Sequence, residues 1–237
     1  MSPPGATRRI IAGMATQPTR ATTAPQAISA LAAQVDLLVL FLDRFESVPD
    51  YACAPNVEVV RSQDVGDLRA GGKLLALDRC DRGDIYLFGD DDVAYPGDFA
   101  AVVARALDGD HQNEMVGFHG TRLRPPVVSY KRDRMVTQLK SALDAPQIVD
   151  VIATCAGGFR PDRLPVNMRR WPHLNMVDLQ LALTAQAHGT RRVLLAREAN
   201  WISFLAEGQP DSIYLKLSTD DSLHTTLANE LLSMTPA

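Results

Sequence analysis

Three consecutive acids, Asp90, Asp91 and Asp92, follow an apolar run in "DIYLFGDDDVAYPGDFAAVVARAL", residues 84 to 107. Five of the six residues from Ile85 to Asp90 suit a buried strand. Three like charges at close range repel one another, so a cation or water must offset that cost. Alternate side chains of an extended chain share a face, so Asp90 and Asp92 can converge on one ligand. Their oxygens suit a hard divalent cation, Mg2+ or Mn2+. The plain alternative is a solvated turn ahead of a helix that starts near Pro96.

The elements that must position these acids alternate along the chain. "RRIIAGMA" reads as a first strand and "TQPTR" as a loop. "PQAISALAAQV" reads as a helix, "VDLLVLFL" as a second strand and "VEVVRS" as a third. "GGKLLALDRC" is a short predicted helix, "DIYLFGD" a fourth strand and "EMVGFH" a fifth. Between those last two, "GDFAAVVARAL" sets Phe99, Val102, Val103, Ala106 and Leu107 on one helical face. Alternating strands and helices predict an α/β fold with a central, mostly parallel sheet covered on both sides. The second half is less regular. "PQIVDVIATCAGGF" reads as a strand ending in a Gly-Gly turn, and "NMVDLQLALTAQAHG" as a helix stopped by Gly189. "RRVLLARE" is a further strand and "DDSLHTTLANELLS" a terminal helix. Residues 120 to 146 are basic: Arg122, Arg124, Lys131, Arg132, Arg134 and Lys140 face only Asp133 and Asp144. That segment reads as a solvated mobile loop, or as a cover for an anionic ligand.

The bulk numbers narrow the function. With 237 residues the chain is long enough for one large α/β domain. A net charge of -4 gives no support to a nucleic-acid partner. Cys53, Cys80 and Cys155 stand far apart without a CxxC pair, which speaks against a disulfide framework or a zinc cage. "LLVLFL", the longest apolar stretch, is too short to span a bilayer. The expected location is the cytoplasm, with attachment to the inner face of the membrane or to a second copy left open.

Three phosphate- or metal-binding patterns can be tested on spacing. "GDLRAGGKL" fails as a P-loop, because its Lys comes one residue late and Leu74 follows it. The DxDx[TV] pattern of haloacid-dehalogenase-like phosphatases belongs on a first strand, whereas these acids end the fourth, with Ala94 at the Thr/Val place. The third comparison succeeds. Over roughly residues 8 to 232 the chain resembles a family 2-like, nucleotide-sugar-dependent glycosyltransferase of the GT-A fold. "IAGMATQPTR" resembles that family's opening strand and loop, and "LFGDDDVAYP" its DxD motif. "VGFHG", "TCAGGFRPDRL", "NMVDLQLAL", "AREANWI" and "SIYLKLSTDDSLHTTLANELL" follow in the order of a bacterial branch linked to surface-polysaccharide synthesis.

The resemblance implies a single domain over residues 1–237. Residues of about 8–119 would bind a nucleotide sugar, and about 120–237 the acceptor, closing with the C-terminal helix. It implies a UDP-linked donor, a glycan or lipid-linked acceptor, and Mn2+ or Mg2+ held by Asp92 with Asp90 nearby. Asp90 or Asp91 would reach the ribose or a metal-bound water. Thr16, Pro18 and Arg20 match the family's nucleotide-binding loop. Asp43 and Asp64, after the second and third strands, are candidates for the base or ribose. Lys73 follows Gly71 and Gly72, where phosphate contact or plain helix-surface exposure are equal readings. Asp178 falls where the family has the second acid of a Glu-Asp pair, although Val177 replaces the Glu. It is the expected general base, the competing reading being a helix-start acid that complements the dipole. Gly157 and Gly158 would let the backbone approach the acceptor sugar, and His119 is an acceptor-side candidate. His173 and Trp201 read as structural. Two rivals stand beside this reading. One is a noncatalytic nucleotide-sugar-binding or scaffold subunit. The other is a sugar-phosphate nucleotidylyltransferase, whose Gly-rich, Arg-containing loop is not apparent here.

Overall fold

In the computed structural model, residues 8–206 and 219–234 are described. The first half runs β1 (Ile10–Thr16), α1 (Ala24–Ala32), β2 (Leu37–Leu42), β3 (Val57–Arg61) and α2 (Ser62–Val65). It continues with a 3-10 helix Arg69–Arg79, β4 (Ile85–Asp90), β5 (Val93–Ala94), α3 (Phe99–Asp108) and β6 (Met115–Gly117). The second half adds β7 (Gly120–Leu123), β8 (Arg134–Thr137), β9 (Gln147–Ile148), β10 (Val151–Ile152) and β11 (Ala156–Phe159). It closes with α4 (Val177–Ala187), β12 (Arg192–Leu194), β13 (Ser203–Phe204) and α5 (Ser222–Ser233). Among these residues no helix is long and apolar enough to cross a membrane. The beginning of the "SIYLKLST" stretch, residues 212–218, lies outside the described residues.

The main sheet has eight strands in the order β3-β2-β1-β4-β11-β6-β12-β9. The first four are mutually parallel, as is the β6–β12 pair. β11 enters antiparallel to both β4 and β6. The α/β fold with a mostly parallel central sheet is therefore present. Alternation sorts the side chains onto two faces. Ala12, Met14, Leu38, Leu40, Ile85 and Leu87 pack under α1 and α3. Ile11, Val39, Tyr86 and Phe88 pack on the other side, against Leu74 and Ala76 of the 3-10 helix and Val177, Leu181 and Ala185 of α4. In α3, Phe99, Val103 and Leu107 recur every four residues and are buried, which is why that stretch forms a helix against the sheet.

Three expectations change. The Gly-Gly pair is not a turn. Gly157 and Gly158 lie inside β11, in the middle of the sheet. "PQIVDVIATCAGGF" is broken into β9, β10 and β11, which serve two different sheets. The basic segment after residue 120 is no mobile loop. β7 and β8 form a hairpin, joined by β10 into a three-stranded sheet. Leu123, Val127 and Tyr130 of this hairpin pack with Val151, Leu179 and Ala182 and with Leu227, Ala228 and Leu231 of α5. Enough apolar side chains sit between the charges to build a small core of their own.

Candidate functional site

The carboxyl ends of three adjacent parallel strands meet at one edge. β1 ends on Thr16, β2 runs into Asp43, and β4 ends on Asp90, with Ala15 opposite Asp90 and Thr16 opposite Leu42. The Asp43 N–H donates to the Thr16 carbonyl at 2.9 Å. Open α/β sheets place ligands beyond such ends.

The three aspartates take separate partners. Asp90 forms an ion pair with the buried ammonium of Lys73. Asp91 turns inward, 7% exposed, with the Arg20 guanidinium at 3.9 Å. Burial pushes its pKa up to about 7, helped by Asp90 and Asp92 and opposed by Thr16 and Arg20. Asp92 is half-buried, and burial with the Asp90 charge raises it to about 6, against Arg20 and Lys73. Protein cations therefore answer part of the charge, and burial keeps the remainder costly. The peptide of Asp90 is fixed by Tyr95, whose hydroxyl accepts from the Asp90 N–H and donates to the Cys155 carbonyl, both at 2.8 Å. Gly89 leaves room for this hydroxyl, since a Cβ there would lie 2.6 Å from it.

Lys73 departs from both readings of the sequence. It neither rides a helix surface nor lies open to a phosphate. It is 2% exposed inside the 3-10 helix and donates to the Thr154 carbonyl at 2.9 Å as well as to Asp90. Burial works against its charge, but Asp90, with Asp178 and Cys155, outweighs burial and leaves its pKa raised. Two glycines let the helix come this close. A Cβ on Gly72 would stand 2.1 Å from the Phe41 ring, and one on Gly13 only 1.8 Å from the Lys73 carbonyl oxygen.

Asp178 sits at the start of α4. Its Oδ1 accepts both the Thr154 N–H at 2.8 Å and the Thr154 hydroxyl at 2.6 Å. Burial raises its pKa, the Thr154 bonds and Lys73 pull it down, and the Asp90 charge pushes it up again. Asp178 and Asp90 are thus joined through one residue and one ammonium. Thr154 was missed by the sequence reading; it stands in the "ATCAGGF" stretch, but a lone Thr gives no signal without its partner 24 residues on.

A second group of polar atoms lines the same edge. Among the described residues Thr16 Oγ1, Asp43 Oδ1 and Tyr51 OH are buried with no hydrogen-bond partner. The other Asp43 oxygen takes the Arg44 guanidinium at 3.0 Å. Burial, then the Asp91 charge, raises the Tyr51 pKa. The Thr16 hydroxyl favours the charge on Asp91 and so lies close to that carboxylate. Buried polar atoms are nearly always paired, so these three are open to a ligand or water. Tyr51 also escaped the sequence reading.

The remaining candidates scatter. Pro18 is exposed in the first turn of the short 3-10 helix Pro18–Arg20. Asp64 is exposed in α2, beyond the edge strand β3, with no hydrogen bond or ion pair to the triplet among the described residues. His119 lies beside Cys155, Nδ1 to Sγ 3.9 Å, and burial with Arg134 and Arg197 lowers its pKa to about 4. Gly157 and Gly158 are filled positions: a Cβ on either would stand 2.2 Å from the Val116 carbonyl oxygen or 2.4 Å from that of Tyr86. Strand packing accounts for both without a ligand. Trp201 packs on Phe118, centroids 4.9 Å apart.

No protein-family model matches the chain, and no curated protein matches it. Among solved structures, a crystal structure of 4-diphosphocytidyl-2C-methyl-D-erythritol synthase is similar to it with a TM-score of 0.48 and 14% identity. That alignment covers 90% of this chain and 99% of the other.

Proposed function

We propose that the protein is a nucleotide-sugar-dependent glycosyltransferase that inverts the anomeric centre and passes a sugar to a glycan or lipid-linked acceptor. The observation that carries this reading is the shared ammonium. Lys73 touches Asp90 and the Thr154 carbonyl, while the Thr154 N–H and hydroxyl hold Asp178. A carboxylate group suited to a leaving diphosphate and a carboxylate suited to an acceptor hydroxyl then belong to one cluster. The unpartnered Thr16, Asp43 and Tyr51 atoms would receive the nucleoside, and Arg20 would stand near its phosphates.

Asp92, with Asp90 beside it, would hold Mg2+ or Mn2+. Such ions are commonly bound by one or two carboxylates together with substrate phosphates rather than by a full protein cage. Among the described residues no group of three or more His, Cys, Asp or Glu is placed to hold a metal, so the proposed ion would need the diphosphate for its remaining ligands. When bound, the ion would offset the charge gained by the diphosphate. Asp178, held by one oxygen, keeps Oδ2 for the proton of the acceptor hydroxyl. Lys73 acts through the two carboxylates rather than on phosphate.

A panel of nucleotide sugars, screened for thermal stabilisation with and without Mn2+, tests the reading. A ligand at one hundred times its Kd should stabilise by ~2.7 kcal/mol. Asp92→Asn should remove most of the metal-dependent affinity and leave the fold intact, because it also relieves like-charge crowding. Proton NMR of the first sugar product should show inverted configuration. Retention, or a panel without a single stabilising nucleotide, would overturn the proposal.

A further inference from the structure

Arg134 stands on the inner face of the β7–β8 hairpin. It pairs opposite Leu123, which is buried and packs with Tyr130 and with Leu179, the residue after Asp178 on α4. The half-buried Arg134 guanidinium has its central carbon 4.5 Å from the centre of the Tyr130 ring, which also stacks on His224 of α5 at 5.4 Å. The Arg134 Nε is buried without a hydrogen-bond partner. So are the Nε atoms of Arg61, Arg160 and Arg192, but those guanidiniums reach carbonyl, amide or carboxylate oxygens through their other nitrogens. No acid forms an ion pair with Arg134 among the described residues, and the acids of this region are engaged elsewhere. Asp133 accepts from the Val128 and Ser129 N–H groups, Asp150 from the Leu123 N–H, and Asp220 from the Ser222 N–H. Asp221 takes the Ser129 hydroxyl and the Lys131 N–H. Val136, two residues on and on the same face as Arg134, is 42% exposed, so solvent reaches this face.

A guanidinium drawn out of water needs an opposite charge or acceptors to offset its desolvation. The Tyr130 ring offsets a part. The planar fork of N–H donors fits the oxygens of a phosphate or a carboxylate. Two places for such an anion can be weighed. The donor diphosphate belongs at the triplet, and the cations that act on Asp91 and Asp92 are Arg20 and Lys73. Arg134 acts instead on Tyr130 and His119. Burial raises the Tyr130 pKa, Arg134 opposes it, and the Asp178 charge adds to it. Burial, then Arg134 and Arg197, lowers that of His119. The backbone leads the same way: β7 pairs with β10, Val151 opposite Thr121, three residues before the Thr154 that holds Asp178. We propose that Arg134 binds an oxyanion, phosphate or carboxylate, that the acceptor carries beside the hydroxyl served by Asp178. Assigning the anion to the acceptor rests on the proposed function; the anion site itself does not.

NMR titration of the full chain with glucose 1-phosphate, glucuronate and neutral glucose tests the site. At least one of the anions should bind and shift the Arg134 Nε–H signal, and glucose should bind at least about tenfold more weakly. A preference for glucose 1-phosphate identifies a phosphate, and a preference for glucuronate a carboxylate. Arg134→Gln should weaken the anion about tenfold or more, the loss expected for a hydrogen bond to a charged group. Arg134→Lys should keep part of the affinity, as a point charge without the fork. The melting temperature of Arg134→Gln should stay near that of the wild type, because no acid of the fold is left unpaired. Should that variant melt early, the Nε–H signal of the wild type still reads the anion directly. Equal binding of glucose, anion binding that Arg134→Gln retains in full, or no binding by either anion would overturn the proposal. So would an anion displaced by a nucleoside diphosphate with Mn2+, since that would put it at the triplet. Anion binding at Arg134 in a chain that transfers no sugar would sink the proposed function and leave the site standing. Sugar transfer by Arg134→Gln at the wild-type rate would do the reverse.

Discussion

At the scale of single residues, Thr154 decides how Asp178 is presented. Both of its donors fall on Oδ1, so neither occupies the second oxygen. A hydrogen bond to a charged group contributes about 1.5–3 kcal/mol. Thr154→Val removes the hydroxyl but keeps the shape and the backbone N–H. It should lower sugar transfer about tenfold or more, with donor affinity unchanged, and Thr154→Ser should restore most of the rate. Asp178→Asn should cost more, ~10² to 10⁴ in rate, if the carboxylate takes the proton. Steady-state release of nucleoside diphosphate, set beside calorimetric donor affinity, separates the two effects. Full transfer by Asp178→Asn would exclude it as the base.

At the scale of elements, the 3-10 helix Arg69–Arg79 is what delivers Lys73, and Gly13 is what lets that helix rest on β1. Gly13→Ala would drive a Cβ into the Lys73 carbonyl. Overpacking of this kind costs about 1–3 kcal/mol, and here the displaced backbone is that of Lys73 itself. Urea unfolding should show that loss for Gly13→Ala, while Gly97→Ala, with nothing within 4 Å of its Cβ, should stay within about 0.5 kcal/mol of the wild type. Equal stabilities for the two variants would show that the helix has room to shift. The same elements mark where sequence reading works. Runs such as "LLVLFL" and "IYLFGD" announce their strands, because a parallel strand covered on both faces needs apolar side chains at every position. The acidic triplet was legible for the same reason: nothing in a strand explains it. Lys73 was not legible, because its burial depends on Asp90, 17 residues away, and on glycines whose use is close packing rather than turning. β11 was misread likewise. Its glycines looked like a turn, and only its neighbours β4 and β6 reveal the need for missing side chains.

At the scale of the whole molecule, the buried acids tie stability to pH. Asp91 is raised to about 7 in the folded protein, from the ordinary carboxylate range near 4 in the unfolded chain. Between those values the folded state holds a proton that the unfolded state has lost. Stability from this group is therefore lost as pH rises toward and through 7. Asp92, raised to about 6, acts in the same direction over a lower window. His119 acts oppositely. Its pKa falls to about 4, so the unfolded chain gains a proton that the folded one refuses, and stability falls as pH drops from about 6.5 toward 4. Between pH 6 and 8 unfolded His119 still titrates and Asp92 is half-protonated at the lower end, so Asp91 is isolated by comparison with Asp91→Asn, which keeps both of those groups. One proton over that interval is worth about 1 kcal/mol. Urea unfolding in the presence of a chelator should show the wild type losing about that much more stability from pH 6 to 8 than Asp91→Asn does. Adding Mn2+ with a nucleoside diphosphate should restore the wild type at pH 8 more than at pH 6, since the ionised carboxylates are then available to the cation. A wild type and an Asp91→Asn variant with parallel pH profiles would mean that Arg20 and Thr16 already neutralise the acid, and that the triplet carries no charge waiting for a ligand.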